Sequence, residues 1–333
     1  MTSASASRRR VGTGSGRPGT RSARRLGAVA LITVVVAWGL TWPVSKVLLA
    51  EIPPLWLLVL RTGIAGATMF AIALARGRLT LPPRGDLPVV VSIAGLHMVG
   101  FAVLAFWGLA LVPAGRSVVL AYTTPLWVVP GAALFLREPL TRRRAVGVAI
   151  GLLGLLALFN PLALDWTDRG AVLGHASILG AAGLWAASIL HIRGHRWQTT
   201  PLALVPWEML LATAVLAVIA WIGGPPPRVQ WSGRLVALLA YASIPGTALA
   251  YWAAATASQS LPAVTTSLGL LATPVVGVVV SALWLGEPLT PSLLAAIALI
   301  LGGVAIGTIG QHRGEDRGAP RDQHRGEDRA AAR

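Results

Sequence analysis

Long uncharged stretches of apolar residues alternate along the chain with short clusters of charged residues. Ten of these stretches reach or approach the ~20 apolar residues that cross the hydrocarbon core of a bilayer. In chain order they are 27–48, 54–75, 88–111, 113–136, 144–160, 170–190, 201–222, 233–257, 262–285 and 291–310. Only Val112-Pro113 divides the third stretch from the fourth, and the short fifth stretch adjoins an arginine cluster. The pattern predicts an all-α polytopic membrane protein with ten transmembrane helices.

The composition agrees with a chain that folds in lipid. Hydrophobic residues make up 55% of the sequence and charged residues 12%, and the mean hydropathy is +0.69, outside the range of soluble domains. Ten helices leave only short loops, so no separate soluble catalytic domain fits. The absence of cysteine excludes disulfides, thiolate nucleophiles and Cys-ligated metals. The net charge of +16 comes from tails and loops, and we therefore expect no nucleic-acid partner.

The arginines predict the orientation in the membrane. If the N-terminus lies inside, the two tails and the loops on that side carry 22 arginines, whereas the opposite loops carry three: Arg169, Arg228 and Arg234. Because positive residues concentrate on the cytoplasmic side, we expect a multi-pass protein of the cell (inner) membrane with both termini cytoplasmic.

Both tails are predicted to be disordered. Residues 1–26 are rich in Ser, Gly and Arg, and 311–333 repeat "QHRGEDR", so neither tail can bury an apolar face. The histidines of that repeat lack a convergent set of ligands. We expect no metal and no cofactor.

An internal repeat relates the two halves. "EPLT" occurs at 138–141 and 287–290, and Thr124-Pro125 precedes the first copy as Thr273-Pro274 precedes the second, at a constant offset of 149. At an offset of 147, Trp38 matches Trp185 and Lys46 matches Arg193. "SIAG" at 92–95 matches "SIPG" at 243–246. The chain therefore reads as two five-helix units, 27–160 and 161–310, and the odd helix number inverts the second unit relative to the first.

The stretch "WGLTWPVSKVLLAEIPPLWLLVLRTGIAG" at 38–66 resembles the opening of EamA-type members of the drug/metabolite transporter superfamily. The Pro…Glu-Pro-Leu endings of helices 4 and 9 and the late glycines of helices 5 and 10 are similar to the same family. The resemblance implies a ten-helix inverted-repeat fold with a central cavity that exports amino acids, metabolites or toxic compounds. Glu208 departs from the family pattern, in which this position more often carries a neutral polar residue.

Two charged residues lie inside predicted helices. Arg61 is the eighth residue of helix 2 and Glu208 the eighth of helix 7, which enters from the opposite side, so their depths differ by ~10 Å in a ~30 Å core. We interpret both as lining one aqueous cavity, with Arg61 as an anion anchor and Glu208 as a cation or proton site. The alternatives are a snorkelling or structural role for Arg61 and pairing with a neighbouring helix for Glu208.

Further candidates lie in the same spans. Lys46 is near the end of helix 1, where it either snorkels or binds substrate. His97, in mid-helix 3, is either a proton carrier or a core histidine bonded to a carbonyl. Trp38 and Trp185 either flank an apolar substrate or pack in the core.

Pro125 and Pro274 are predicted to kink helices 4 and 9. The hydroxyls beside them either satisfy the freed carbonyls or touch substrate; the candidates are Tyr122, Thr124, Ser267 and Thr273. Gly147-x3-Gly151 and Gly303-x3-Gly307 give helices 5 and 10 small faces, for packing within the chain or for a homodimer.

These features favour a secondary transporter that binds a small-molecule substrate within the lipid bilayer. A channel or a non-transporting sensor is the alternative, although neither requires two inverted halves. A membrane enzyme is not expected, since the acids outside the tails are scattered singly or lie in loops.

Overall fold

The computed structural model describes residues 21–159, 167–261 and 263–309, and within these residues every regular element is helical. The α-helices are α1 Arg21–Leu49, α2 Pro54–Ala75, α3 Leu87–Ser92, α4 Ala102–Leu111, α5 Ala114–Ala121, α6 Thr124–Phe135, α7 Arg142–Phe159, α8 Arg169–Gly194, α9 Pro201–Gly223, α10 Gly233–Ser243, α11 Ala250–Ser260, α12 Ala263–Leu270, α13 Ala272–Leu285 and α14 Pro291–Ile309. Two π-helical segments, π1 (Ile93–Phe101) and π2 (Ile244–Leu249), connect α3 to α4 and α10 to α11.

Eight helices of the described chain are long and apolar enough to cross a membrane. They are Arg24–Leu49, Pro54–Ala75, Arg84–Leu111, Ala114–Phe135, Arg169–Gly194, Pro201–Gly223, Gly233–Ser260 and Leu268–Leu285. The two remaining predicted stretches form α7, which begins with three arginines, and the shorter apolar α14. The protein is thus a multi-pass, all-helical membrane protein over its described residues.

The ends of the chain differ in part from the prediction. α1 begins at Arg21, inside the tail that was expected to be disordered to residue 26, because Arg and Ala have high helix propensity and extend the helix beyond its apolar run. The remainder of that tail (1–20), the tail 311–333 and the predicted boundary at 160–161 lie outside the described residues.

The kinks predicted at Pro125 and Pro274 take the form of short breaks in the two spans. α5 ends at Ala121 and α6 begins at Thr124, so Pro125 stands in the first turn of a new helix. Pro274 likewise stands in the first turn of α13. The first N–H groups of a helix have no intrahelical acceptor, and proline therefore costs no hydrogen bond at these positions. Each of these spans consists of two short helices joined by a turn.

The packing of the helices follows the sequence repeat. α2 packs on α9 and α7 packs on α14, so each of these helices meets its own counterpart. α1 packs on α11 and α13, and its counterpart α8 packs on α4 and α6. The first helix of each half therefore lies against the third and fourth spans of the other half.

Asp86 connects the two halves in the loops. Its fully buried carboxylate accepts hydrogen bonds from His195 Nε2 at 2.8 Å, from the Gln198 N–H at 3.0 Å and from the Thr199 N–H at 2.9 Å. This carboxylate was not singled out in the sequence because a lone Asp in a loop carries no motif.

Glycines allow α7 and α14 to approach within backbone contact. A Cβ placed on Gly147 would lie 2.5 Å from the Gly303 carbonyl oxygen, and one on Gly303 would lie 2.7 Å from the Gly151 nitrogen. The small faces of helices 5 and 10 thus meet each other within one chain, which is the intramolecular alternative of the two considered for them.

Gly303→Ala should destabilise the protein by about 1–3 kcal/mol, since overpacking forces the two backbones apart. Gly302→Ala is the matched control, because a Cβ on Gly302 meets nothing within 4 Å and alanine is the better helix former. Thermal denaturation in detergent measures both. An equal loss of stability in the two variants would contradict the close packing.

Candidate functional site

A central cavity lies between the halves. Its walls come from α1, α2, π1, α4, α8, α9, π2 and α11, together with Tyr122 at the end of α5. The cavity has a volume of about 110 Å³, which is enough for several waters or one small organic molecule. The lining residues are Trp38, Thr41, Trp42, Ser45, Leu58, Arg61, Thr62, His97, Met98, Phe101, Ala102, Ala105, Phe106, Leu109, Tyr122, Trp185, Met209, Thr247 and Tyr251.

Five of the predicted site residues meet in this cavity: Trp38, Arg61, His97, Tyr122 and Trp185. They come from both halves of the sequence and from five different helical elements. The matched tryptophans of the repeat therefore face one space.

Arg61 is held in one orientation from two sides. Its Nε donates a hydrogen bond to Thr247 Oγ1 at 2.9 Å, and its Cζ lies 5.2 Å from the centre of the Phe106 ring. Thr247 in turn donates to the Ala242 carbonyl at 2.8 Å. The two terminal nitrogens of the guanidinium form no hydrogen bond with a described residue, which leaves them available to the cavity.

Aromatic rings contribute several of the residues that line the cavity. His97 stacks on Trp185 with 5.2 Å between centroids and an interplanar angle of 4°, and Tyr122 meets Trp185 edge-on at 5.8 Å. Trp38 meets Tyr251 edge-on at 6.1 Å. Such edge and stacked pairs are favourable arrangements of rings, so the walls are defined before any ligand enters.

The two π segments lie at equivalent positions of the repeat and both contribute to the cavity. π1 carries His97 and Phe101, and π2 carries Thr247. π-helical turns are rare and are frequent at functional sites. The matched "SIAG" and "SIPG" sequences mark where they begin, but the sequence did not reveal the π geometry, and Thr247 and Tyr251 were missed as site residues.

Lys46 does not line the cavity. Its ammonium donates to the carbonyls of Leu109 at 2.6 Å, Ala110 at 3.2 Å and Val112 at 2.9 Å. An ammonium has three donors, and these carbonyls at the end of α4 use them all. Lys46 therefore closes the C-terminus of α4 in this structure.

Glu287 performs the complementary role at the start of α5. Its carboxylate accepts hydrogen bonds from the N–H groups of Ala114 at 2.6 Å and Gly115 at 2.8 Å. At the break between α4 and α5, Lys46 thus caps the C-terminus of α4 and Glu287 caps the N-terminus of α5. We call this part of the bundle the Lys46 end.

The equivalent residues at the opposite end are arranged differently. Glu138 accepts from Arg193 Nη2 at 2.5 Å and from Arg144 Nη1 at 3.2 Å. A second cavity lies beside them, against Pro125 and Gly303. We call this part of the bundle the Glu138 end.

Thr124, Pro125, Thr273 and Pro274 are not among the residues that line the central cavity. Thr124 is buried and donates to the Ala121 carbonyl at 2.7 Å. Pro125 lines the second cavity, and Thr273 and Pro274 are buried at the start of α13. The side chain of Ser267 lies outside the described part of the chain.

Glu208 does not line the central cavity, contrary to the expectation that it shares this space with Arg61. Its side chain is on α9 and only 3% of the residue is exposed, while its neighbour Met209 reaches the cavity. The carboxylate lies within electrostatic range of Tyr251. The sequence placed Glu208 at the eighth residue of its helix, as observed, but it could not show which face of α9 the side chain occupies.

The model of the EamA-like transporter family matches residues 25–160 and again 172–309. The chain belongs to this family. The family model thus occurs twice in the chain, which is consistent with an internal repeat.

The relatives are named as transporters. "Uncharacterized transporter YoaV" of Bacillus subtilis is 24% identical over 84% of this chain and 96% of its own length. "Probable terminal-alkyne amino-acid exporter" of Streptantibioticus cattleyicolor is 29% identical over 85% and 95%, and "Probable amino-acid metabolite efflux pump" of Salmonella typhimurium is 28% identical over 86% and 96%. Family and relatives point to a membrane transporter, not to an enzyme.

A solved structure shares the fold. It is described as "Crystal structure of protein" and superposes with a TM-score of 0.63 at 24% sequence identity, covering 89% of this chain and 100% of its own.

Arg61→Ala should abolish or sharply reduce transport while membrane insertion stays normal. Arg61 is the only Arg, Lys, Asp or Glu that lines the cavity among the described residues, and an intramembrane charge is costly unless it serves binding. Efflux from proteoliposomes, normalised to reconstituted protein, measures the effect. Arg116→Ala, which removes an arginine of α5 outside the cavity, is the control. Unchanged efflux at normal expression would remove Arg61 from the site.

Proposed function

We propose that the chain is a secondary transporter of the cell membrane that exports small metabolites, amino acids or toxic compounds. In this proposal ten transmembrane helices form two inverted five-helix halves, 27–160 and 161–310, and the substrate binds in the central cavity between them. Two observations support this proposal: equivalent helices of the two halves pack against each other, and relatives are named as exporters or efflux pumps.

The arginine distribution supports an orientation with both termini cytoplasmic. The Lys46 end then faces outward and the Glu138 end faces the cytoplasm, since helix 1 runs outward from a cytoplasmic N-terminus.

The main support for alternating access is that equivalent charged residues bind different partners at the two ends of the bundle. Lys46 and Glu287 bind the two sides of the α4–α5 break, whereas their counterparts Arg193 and Glu138 bind each other. The difference between the ends lies in these partners and not in exposure, since the charged side chains are partly exposed at both ends.

In the alternate state the roles exchange. Arg193 and Glu138 close the equivalent break between α11 and α12, and Lys46 releases the α4 carbonyls and pairs with Glu287. Each end has two sets of partners and cannot satisfy both, and such a bistable contact converts a small rotation of the halves into opening and closing. The substrate would thus reach one side at a time.

Thiol labelling tests this sequence of states without knowledge of the substrate. The chain has no cysteine, so Ser45→Cys places one thiol in the cavity wall below the Lys46 closure. An impermeant maleimide added to intact cells should label this thiol slowly. Adding Glu287→Gln should accelerate labelling several-fold, since an amide cannot accept from both N–H groups of α5 as a carboxylate does.

Glu51→Gln, at an exposed carboxylate of the same end, is the matched control and should leave the rate unchanged. Equal labelling rates with and without Glu287→Gln would refute the closure. Fast labelling from both sides of the membrane at once would favour a channel.

Glu208 is proposed as the proton site of the transport cycle. It is a buried carboxylate that no described residue hydrogen-bonds, and the next residue of α9, Met209, lines the cavity. A buried ionised carboxylate is costly without a partner, and protonation removes that cost. Binding and release of a proton would therefore change the packing beside the cavity.

Glu208→Gln should lose gradient-driven export but keep downhill exchange of substrate, because glutamine retains the shape and cannot titrate. Substrate accumulation in proteoliposomes with and without an imposed pH gradient measures both activities. His97→Gln tests the rival proton carrier. If Glu208→Gln accumulates substrate like the parent and His97→Gln does not, His97 is the coupling residue and the proposal for Glu208 is wrong.

A further inference from the structure

We propose that the central cavity selects monoanionic carboxylates with an aromatic or otherwise apolar body, in preference to zwitterions, amines and neutral molecules. This inference rests on the proposed transporter function and specifies the substrate class of that site.

The first argument is the balance of charge around the cavity. Its described lining contains one guanidinium, Arg61, and neither Asp nor Glu. Glu208 precedes the lining residue Met209 in the sequence, but it is only 3% exposed and does not itself line the cavity. An anion entering the cavity therefore finds a cationic partner, whereas an ammonium group finds no carboxylate in the described lining, only ring faces, and lies near a like charge.

The second argument is the geometry of Arg61. Thr247 holds Nε and Phe106 lies beside Cζ, so the plane of the guanidinium is fixed before a ligand binds. The two terminal nitrogens have no described partner and present parallel donors. A carboxylate matches two parallel N–H donors, and the resulting bidentate pair is a strong, oriented hydrogen-bonded contact.

The third argument is the absence of a second charged partner on the rest of the described wall. Trp38, Trp185 and Tyr251 present rings, and aliphatic side chains such as Leu58 and Met209 fill the gaps between them. The polar groups of this wall besides Arg61 are hydroxyls, indole N–H groups and the imidazole of His97. A ligand with a second charged group would lose its hydration there and gain no carboxylate or second guanidinium in exchange.

The cavity therefore consists of one anionic subsite and one aromatic subsite. A molecule with one carboxylate and one ring satisfies both. The α-ammonium of an amino acid adds a group that this wall does not neutralise, and the preference of the site is thus for the acid without the amine.

Four ligands with a common phenyl skeleton test the charge preference at nearly constant size: 3-phenylpropanoate, phenylalanine, 2-phenylethylamine and 3-phenylpropanamide. Isothermal titration of the purified full-length protein measures their dissociation constants. We expect 3-phenylpropanoate to bind about ten- to a hundredfold more tightly than the other three, the size of a charge-assisted contact.

Variants then assign the preference to Arg61. Arg61→Gln should make the acid and the amide bind equally, and Arg61→Lys should retain part of the difference because the charge remains and the bidentate contact is lost. Arg116→Gln should leave all four affinities unchanged. Phenylalanine binding as tightly as 3-phenylpropanoate would overturn the selection against zwitterions, and equal binding of acid and amide to the parent protein would overturn the anion subsite.

Absence of binding by all four ligands would also overturn the substrate class. It would leave the transporter proposal standing, because cysteine labelling of the two ends reports alternating access without any ligand. Conversely, a failed labelling experiment with tight binding of the acid would refute the transport cycle and keep the binding site.

Discussion

Lipid cannot hydrogen-bond the backbone, so every interruption of a helix within the membrane needs partners from the protein itself. This protein interrupts two spans at matched positions, between α5 and α6 and between α12 and α13, and α4 ends at a tight turn into α5. Lys46 satisfies three carbonyls at that turn, and Glu287 satisfies the first two N–H groups of α5. Thr123 and Thr124 donate to the Leu120 and Ala121 carbonyls at the next break. Lys46 and Glu287 thus serve first to satisfy backbone groups at helix ends.

That role separates two kinds of charged residue in the spans. In this structure Lys46 and Glu287 bind main-chain groups. Arg61 has only its Nε engaged by a hydrogen bond to a described residue. The partners of these side chains thus distinguish charges that hold the backbone from a charge that keeps donors for a ligand.

The hydrophobic pattern and the internal repeat were sufficient to predict the helical membrane class and the pairing of equivalent segments, because both depend on periodic apolar character and on matched motifs. The same reasoning brought Trp38, Arg61, His97, Tyr122 and Trp185 forward, and the structure places these five around one cavity. It did not show the partners of Lys46, the position of Glu208 outside the cavity lining or the turns that precede the two prolines. The partner of Lys46 is a carbonyl more than sixty residues away in the sequence. The direction of the Glu208 side chain depends on how α9 is oriented about its axis against its neighbours. A proline in the sequence is compatible both with a bend in one helix and with the start of a new helix.

The π segments give the cavity a sensitivity to chain length. A π turn holds more residues than an α turn, and the residues that follow it are rotated accordingly around the helix axis. Loss of one residue from Ile93–Phe101 that restored α geometry would turn the following helix by about 100° and carry Phe106 from the cavity toward the lipid. A single-codon deletion could therefore reshape the substrate site while every residue that lines it stays chemically unchanged, and relatives that differ in length at this segment can differ in what they accept.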